Sequence, residues 1–388
     1  MTAILALALT LAADPFPYAA AEAELSEAIT AAELKAHVYR LASPEFLGRR
    51  GPGAARASNH IAEMFKHIGL APAFGDSYFQ DVPWLLTNGT ERGPTFVGRN
   101  VGAVILGSDP ALKDEWIVLS AHYDHLGMAG DVMFPGADDN ASGVAMLIEV
   151  AEAFALGKHK PKRTIVFVAF DLEEQGLQGS VHFAAHPPRP FVKLKAFMTA
   201  DLIGRSMANV MTETVYVLGS EVSPQLRRVV GEVKPDGVTV APLGADIVGT
   251  RSDYGPFRDR KVPFLFFTTG VHPDYHKPTD LPDRVDYEKL ARVSRWIRDL
   301  TRRLADDAVA PAWAPQTAPD LDEARSVLAL LSRVLDRPET VRLSADQRAG
   351  VESARDRLTA IVGRGAITAE ERTWLVWTGR KLLLTVFQ

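Results

Sequence analysis

Residues 163–170 read "RTIVFVAF", and from Ile165 to Phe170 no side chain is polar. Successive side chains of a strand point to opposite faces, so this segment is apolar on both. A strand of that kind needs cover above and below, the position of a central strand between two helical layers. The same reading extends to "NVGAVILG" (100–107), "EWIVLSAH" (115–122), "KAFMTAD" (195–201), "TVYVLGS" (214–220) and "VPFLFFT" (262–268). Between these runs, 143–156, 223–233 and 286–305 carry helical patterns. In the last, Tyr287, Leu290, Val293, Ile297, Leu300 and Leu304 share one face. Strands alternating with helices predict an α/β fold, a three-layer α/β/α sandwich around a mainly parallel sheet.

The flanking segments divide the chain. Residues 1–20 contain an apolar run, Ala3 to Ala13, followed by small residues. It is too short to span a bilayer and has the pattern of a secretory signal peptide, which predicts a secreted or periplasmic protein. Two helices are expected between 24 and 70, joined by the turn-rich "SPEFLGRRGPG". The main α/β domain is predicted over 24–305, an Ala/Pro-rich linker over 306–319 and a helical C-terminal extension over 320–388. Its helices begin near the capping residues Asp320, Ser344 and Thr368. The end, "WLVWTGRKLLLTVF", is apolar enough to predict packing on the main domain or on a second copy of the chain.

Of the 388 residues none is cysteine, which excludes disulfides, thiolate metal sites and a cysteine nucleophile. A net charge of −5 gives no electrostatic basis for nucleic acid binding.

In open α/β sheets ligands bind beyond the carboxyl ends of the strands. After "IVLSA" come His122, Asp124 and His125; after "TIVFVAF" come Asp171, Glu173 and Glu174; after "KAFMTA" comes Asp201; after "VPFLFFTTG" come His272, Asp274 and His276. Asp138 and Asp139 lie in "FPGADDNASGVAM", a loop entering a helix. Each group alone is an ordinary polar turn or cap. Together they would place carboxylates at one edge, where they repel unless cations hold them. Imidazole and carboxylate without sulfur suit zinc, with cobalt or manganese as substitutes. More than three candidate ligands argue for two ions sharing one carboxylate, which the loop around Asp138 can supply.

The segments "SAHYDHLG", "PGADDNASG", "FDLEEQGLQGS", "TADLIG" and "DYHKPTD" resemble, in order, those of the M28 family of zinc aminopeptidases. The resemblance implies a zinc-peptidase fold without the protease-associated insert domain that many relatives carry. It also implies that His122, Asp138 and Asp201 hold one Zn2+, that Asp138, Glu174 and His276 hold a second, and that Glu173 is the general base. A cis peptide between Asp138 and Asp139 belongs to the same expectation. Alternation along an extended backbone lets Glu174 ligate while Glu173 faces the water. Asp124 is expected to accept the second ring N–H of His122, with Asp139 also beside the centre. Three ligand carboxylates against two zinc ions leave one positive charge, which favours a bridging hydroxide. Residues Ser252, Asp253 and Tyr254 are expected to line the substrate pocket, with the Tyr254 hydroxyl or a backbone N–H near Ser252 steadying the oxyanion. The substrates are then peptides, cut at the N-terminal residue. Alternatives within the fold are a carboxypeptidase using Arg205 or Arg251 for the terminal carboxylate, a glutaminyl cyclase, and a non-catalytic scaffold.

Overall fold

The computed structural model describes residues 25–84, 96–315 and 319–385. The expected signal peptide at 1–20 lies outside the described residues. The two-faced apolar runs become strands of one sheet. Its strands are β1 (Ala71–Pro72), β2 (Phe79–Trp84), β3 (Phe96–Ile105), β4 (Trp116–His122), β7 (Thr164–Phe170), β8 (Leu194–Ala200), β9 (Thr214–Leu218), β10 (Thr239–Leu243) and β11 (Phe264–Thr268). A short hairpin, β5 (Gly127–Ala129) and β6 (Val132–Phe134), stands apart. The order is β1–β3–β7–β4–β8–β11–β9–β10, with β2 also on β3. The centre, β7–β4–β8–β11, is parallel. Antiparallel pairing of β3 with β7 and of β9 with β11 makes the whole sheet mixed. Every residue of β4 and β7 is buried, as strands covered on both faces require.

Helices α1 (Ala31–Leu41), α2 (Pro52–His67), α3 (Gly143–Leu156), α5 (Pro224–Glu232) and α8 (Tyr287–Asp306) cover one face. The other face carries α4 (Gln178–Ala185), α6 (Ala245–Val248), α7 (Gly255–Asp259), α9 (Leu321–Leu335), α10 (Ala345–Arg364) and α11 (Ala369–Thr385). Local signals set the helix starts. Thr30 and Glu33 close a capping box on α1, Ser344 and Gln347 one on α10, and Asp320 caps α9. Thr368 and Glu371 exchange the same pair of hydrogen bonds before α11. No helix among the described residues is long and apolar enough to cross a membrane.

The C-terminal helices share the core of the sheet's second face. Leu331, Leu358 and Leu375 are completely buried in the cluster that contains Phe197, Phe257 and Phe264. Trp313, in the connecting segment, stacks on Phe264 with ring centres 6.5 Å apart. A polar tie reinforces this junction. Arg372 of α11 donates to both oxygens of Asp246 on α6, at 2.7 and 2.8 Å, and to both of Glu323 on α9, at 2.9 and 3.1 Å.

Near this tie, burial raises Glu221 from 4.5 to about 7 and also raises Glu323. Glu221 binds its proton more tightly folded than unfolded, so its contribution to stability is lost as pH rises through about 7. Arg372→Met should destabilise by about 1–3 kcal/mol, because it leaves Glu323 without its partner. Denaturant unfolding at pH 5 and pH 8 should show the larger loss at pH 8, where the abandoned carboxylates are ionised.

Candidate metal centre

Because β7, β4, β8 and β11 are parallel neighbours, their carboxyl ends form one edge. His122 ends β4, Glu173 and Glu174 follow β7, Asp201 follows β8, and His276 lies in the loop after β11. The sheet itself therefore gathers groups scattered along the sequence.

They form two adjoining sets around one carboxylate. His122 Nε2 lies 3.4 Å from Asp139 Oδ1 and 3.3 Å from Asp201 Oδ1. The other oxygen, Asp139 Oδ2, is 3.1 Å from His276 Nε2, which is in turn 3.3 Å from Glu174 Oε2. His125 Nδ1 sits 2.9 Å from Glu174 Oε1 and 3.8 Å from Asp139 Oδ2. Two compact groups able to hold a cation result, His122–Asp139–Asp201 and His125–Asp139–Glu174.

The shared carboxylate is Asp139, not Asp138. Asp138 Oδ1 accepts from the backbone N–H of Gly204 at 2.6 Å, and its Oδ2 faces His272 Nε2 at 3.5 Å. Neighbouring side chains in the turn diverge, so only one of the doublet reaches the two sets. The cis peptide likewise falls between Asp139 and Asn140, one bond beyond the expected place. Asn140 performs the capping task, its Oδ1 accepting from Gly143 N–H and its Nδ2 donating to Ala200 O at the end of β8. Gly136 admits the turn: at φ +56° an added Cβ would stand 2.1 Å from Asp139 O.

The loop is gripped from two sides. Arg49, fully buried, donates to the carbonyls of Tyr123, Leu41, Pro135, Gly136 and Asp139 at 2.5–3.1 Å. Burial lowers its guanidinium to about 10, against the pull of Asp139, Asp280, Asp124 and Glu174. Asp280 accepts the N–H groups of Asp138 and Asp139 at 3.0–3.2 Å, and burial beside Asp138 raises it to about 8.

Asp124 does something other than expected. His122 Nδ1 meets the backbone carbonyl of Asp124 at 3.2 Å, whereas the Asp124 carboxylate stands 3.7 Å away. Its oxygens instead accept the N–H groups of Glu173 and Glu174, locking β7's outgoing loop to β4's. His125, absent from the expected set, is completely buried, and burial lowers it to about 3. As a neutral ring it donates to Glu174 and orients that carboxylate. Burial raises Glu173 well above the usual carboxylate range; His122 opposes this, and Asp253 and Asp201 add to it. For His276, burial is outweighed by hydrogen bonds to Asp139 and Glu174, which raise it to about 10.

The 252–254 segment departs further from expectation. Tyr254 is buried, its ring stacks on Phe264 at 5.0 Å, and its hydroxyl donates to Gly249 O. It is a core residue and is not available to an oxyanion. Ser252 is also buried. Asp253 is fully buried and raised to about 7 by burial, with His122 opposing, so it belongs beneath the site rather than on a substrate-facing wall.

Two buried atoms of the first set have no hydrogen-bond partner, His122 Nε2 and Asp201 Oδ1. Unpartnered buried acceptors and imidazole nitrogens turned toward one another are costly unless a cation completes them, so these donors fit a metal such as zinc.

A family model described as Peptidase family M28 matches residues 100–301. The chain belongs to that family. M28 membership implies zinc. A "Probable zinc metalloprotease" of Pyricularia oryzae is 29% identical over 314 residues, 70% of this chain and 59% of its own length. Aminopeptidase YwaD of Bacillus subtilis is 26% identical over 212 residues, 52% of this chain and 43% of its own. The match thus spans less than two thirds of either relative. Among solved structures, Legionella pneumophila LapA aminopeptidase shares the fold with a TM-score of 0.55 at 21% identity, covering 72% of this chain and 73% of that one. Bacteroides thetaiotaomicron glutaminyl cyclase does so with 0.56 at 17%, covering 71% and 98%.

Metal analysis distinguishes the two aspartates. Asp139→Ala should lose most of the bound metal, while Asp138→Asn should retain more of it; the reverse order would contradict the shared role of Asp139. Arg49→Met should cost at least about 3 kcal/mol in denaturant unfolding, since it leaves buried carbonyls unpaired. Arg49→Lys should restore little of this, lacking the planar fork.

Proposed function

We propose that this M28 protein is an aminopeptidase with two zinc ions, one held by His122, Asp139 and Asp201 and the other by Asp139, Glu174 and His276. The observation that carries the reading is the Asp139 carboxylate, with one oxygen toward each set. Three carboxylates, Asp139, Glu174 and Asp201, leave a pair of zinc ions with one net positive charge. Zinc, when bound, polarises the scissile carbonyl and makes water more acidic. The chain's own groups do the rest. His125 and the Asp124 carboxylate hold Glu174 in place. Glu173, whose carboxyl keeps a proton more readily than usual, takes one from the attacking water and returns it to the departing amine.

A carboxypeptidase needs a cation for the substrate's terminal carboxylate. Arg205 is already paired with Asp274 at 3.0 Å and nearly buried, which leaves exposed Arg251, on the cavity beside Asp201, as the cation a carboxypeptidase would use. YwaD's description as an aminopeptidase favours cleavage at the other end. The apolar run at Ala3 to Ala13 supports export to the periplasm or medium.

Aminoacyl p-nitroanilides should be hydrolysed and N-blocked peptides left intact, and a chelator should abolish turnover. Release of residues from the carboxyl end, or conversion of N-terminal glutamine to a cyclic product without release of a residue, would replace this reading. Glu173→Gln should keep its metal yet lose about 10²–10⁴-fold in kcat.

A further inference from the structure

The geometry points to the C-terminal helices α9 and α11 as part of the substrate-binding machinery, forming the wall of an apolar pocket for the side chain of the substrate's first residue. This rests on the aminopeptidase reading and concerns residues outside the 100–301 family match.

A cavity of about 100 Å³, partly open to solvent, has Asp201 and Tyr275 on its lining. Asp201 belongs to the His122 set, and Tyr275 stacks on the His276 ring at 3.8 Å. The cavity therefore adjoins both sets of the metal centre. From there it runs over the sheet, past Leu218 and Phe266, to α6, where Ile247 lines it. Its far wall is the extension: Val327 and Leu330 from α9, Leu382 from α11. A concave apolar site with few polar groups is the usual form of a ligand pocket. Tyr216 lines the same cavity, with the residue 1% exposed and its hydroxyl oxygen lacking a partner. An unpaired buried hydroxyl there is explained by an occupant, or its water, that completes it.

A substrate whose scissile bond lies at the metal centre places its first side chain within reach of this cavity. The lining selects by size and apolarity: leucine, methionine and phenylalanine fill it, whereas alanine leaves it largely empty. Such discrimination is on the order of 10–200-fold in kcat/KM.

The test uses the full chain with leucyl, phenylalanyl and alanyl p-nitroanilides. The wild type should prefer leucyl and phenylalanyl over alanyl by at least about tenfold. Val327→Trp, which fills the cavity from α9, should collapse the leucyl-to-alanyl ratio. Leu330→Ala, which widens it, should raise the phenylalanyl-to-leucyl ratio and keeps the test decisive should the tryptophan variant fail to fold. An alanyl preference, equal rates in the wild type, or ratios unmoved by either variant would overturn the pocket while leaving the aminopeptidase reading standing. If no anilide is cleaved, that reading falls, and calorimetric titration with free L-leucine and L-alanine decides the pocket. Tighter leucine binding, weakened at least about tenfold by Val327→Trp, supports it; equal or absent binding overturns it.

Discussion

The carboxylate of Asp139 sits in a place where a lone negative charge would not stay. It is 2% exposed, with Glu174 and Asp201 nearby, and Asp138 and Asp280 lie on the far side of the same turn. Taking so many acidic groups out of water costs more than hydrophobic burial nearby returns unless each is compensated. The fold compensates them in distinct ways. Backbone N–H groups serve the inner members: Gly204 for Asp138, Asp138 and Asp139 for Asp280, Glu173 and Glu174 for Asp124. Arg49 serves the loop's carbonyls and adds a positive charge beneath it. Among the atoms these leave without a partner are His122 Nε2 and Asp201 Oδ1, 3.3 Å apart beside Asp139, and that unbalanced charge is what fits the edge to a cation.

Some of this could be read directly from the chain. Each expected ligand apart from the loop aspartate stands just beyond an apolar run, and a parallel centre forces the ends of such runs onto one edge. The assignments of His122, Glu174, Asp201 and His276 to that edge therefore follow from strand pattern alone, and the structure brings them together. The doublet was different. Asp138 and Asp139 are chemically identical, and what separates them is long-range: a backbone N–H supplied by Gly204 and a carbonyl grip supplied by Arg49. No local pattern contains either. Tyr254 illustrates the opposite difficulty, since a hydroxyl in a polar-looking turn is drawn into the core by the aromatic surface of Phe264 and Phe266. His125 and Arg49 had weak local signals, the first as a third polar group in "HYDH" and the second inside a turn-rich link, and neither pointed to its partner.

The antiparallel margins of the sheet were equally hidden. The run 214–220 reads like its neighbours, yet β9 enters beside β11 in the reverse sense. Apolarity on both faces specifies burial, not direction, and direction is set by how the connecting segments cross. This matters little to the metal centre, because β7, β4, β8 and β11 keep the parallel sense that aligns their ends.

Among the described residues the C-terminal helices contribute no member to either cation-holding set, and in sequence they showed only helical pattern and caps. Their position gives them consequence. One end of the extension is fixed by a charged tie, Arg372 between Asp246 and Glu323, and the interior by burial of Leu331 and Leu375 against the sheet's second face. A wall held at both points cannot drift without unpairing buried charge, so the space between it and the sheet has a defined width. Phe266 of β11, the strand that leads to His276, and Leu218 of its antiparallel neighbour β9 both face that space. Rigidity in the metal loop and rigidity in the extension therefore meet at Asp201, where a side chain of the centre is also a side chain of the cavity.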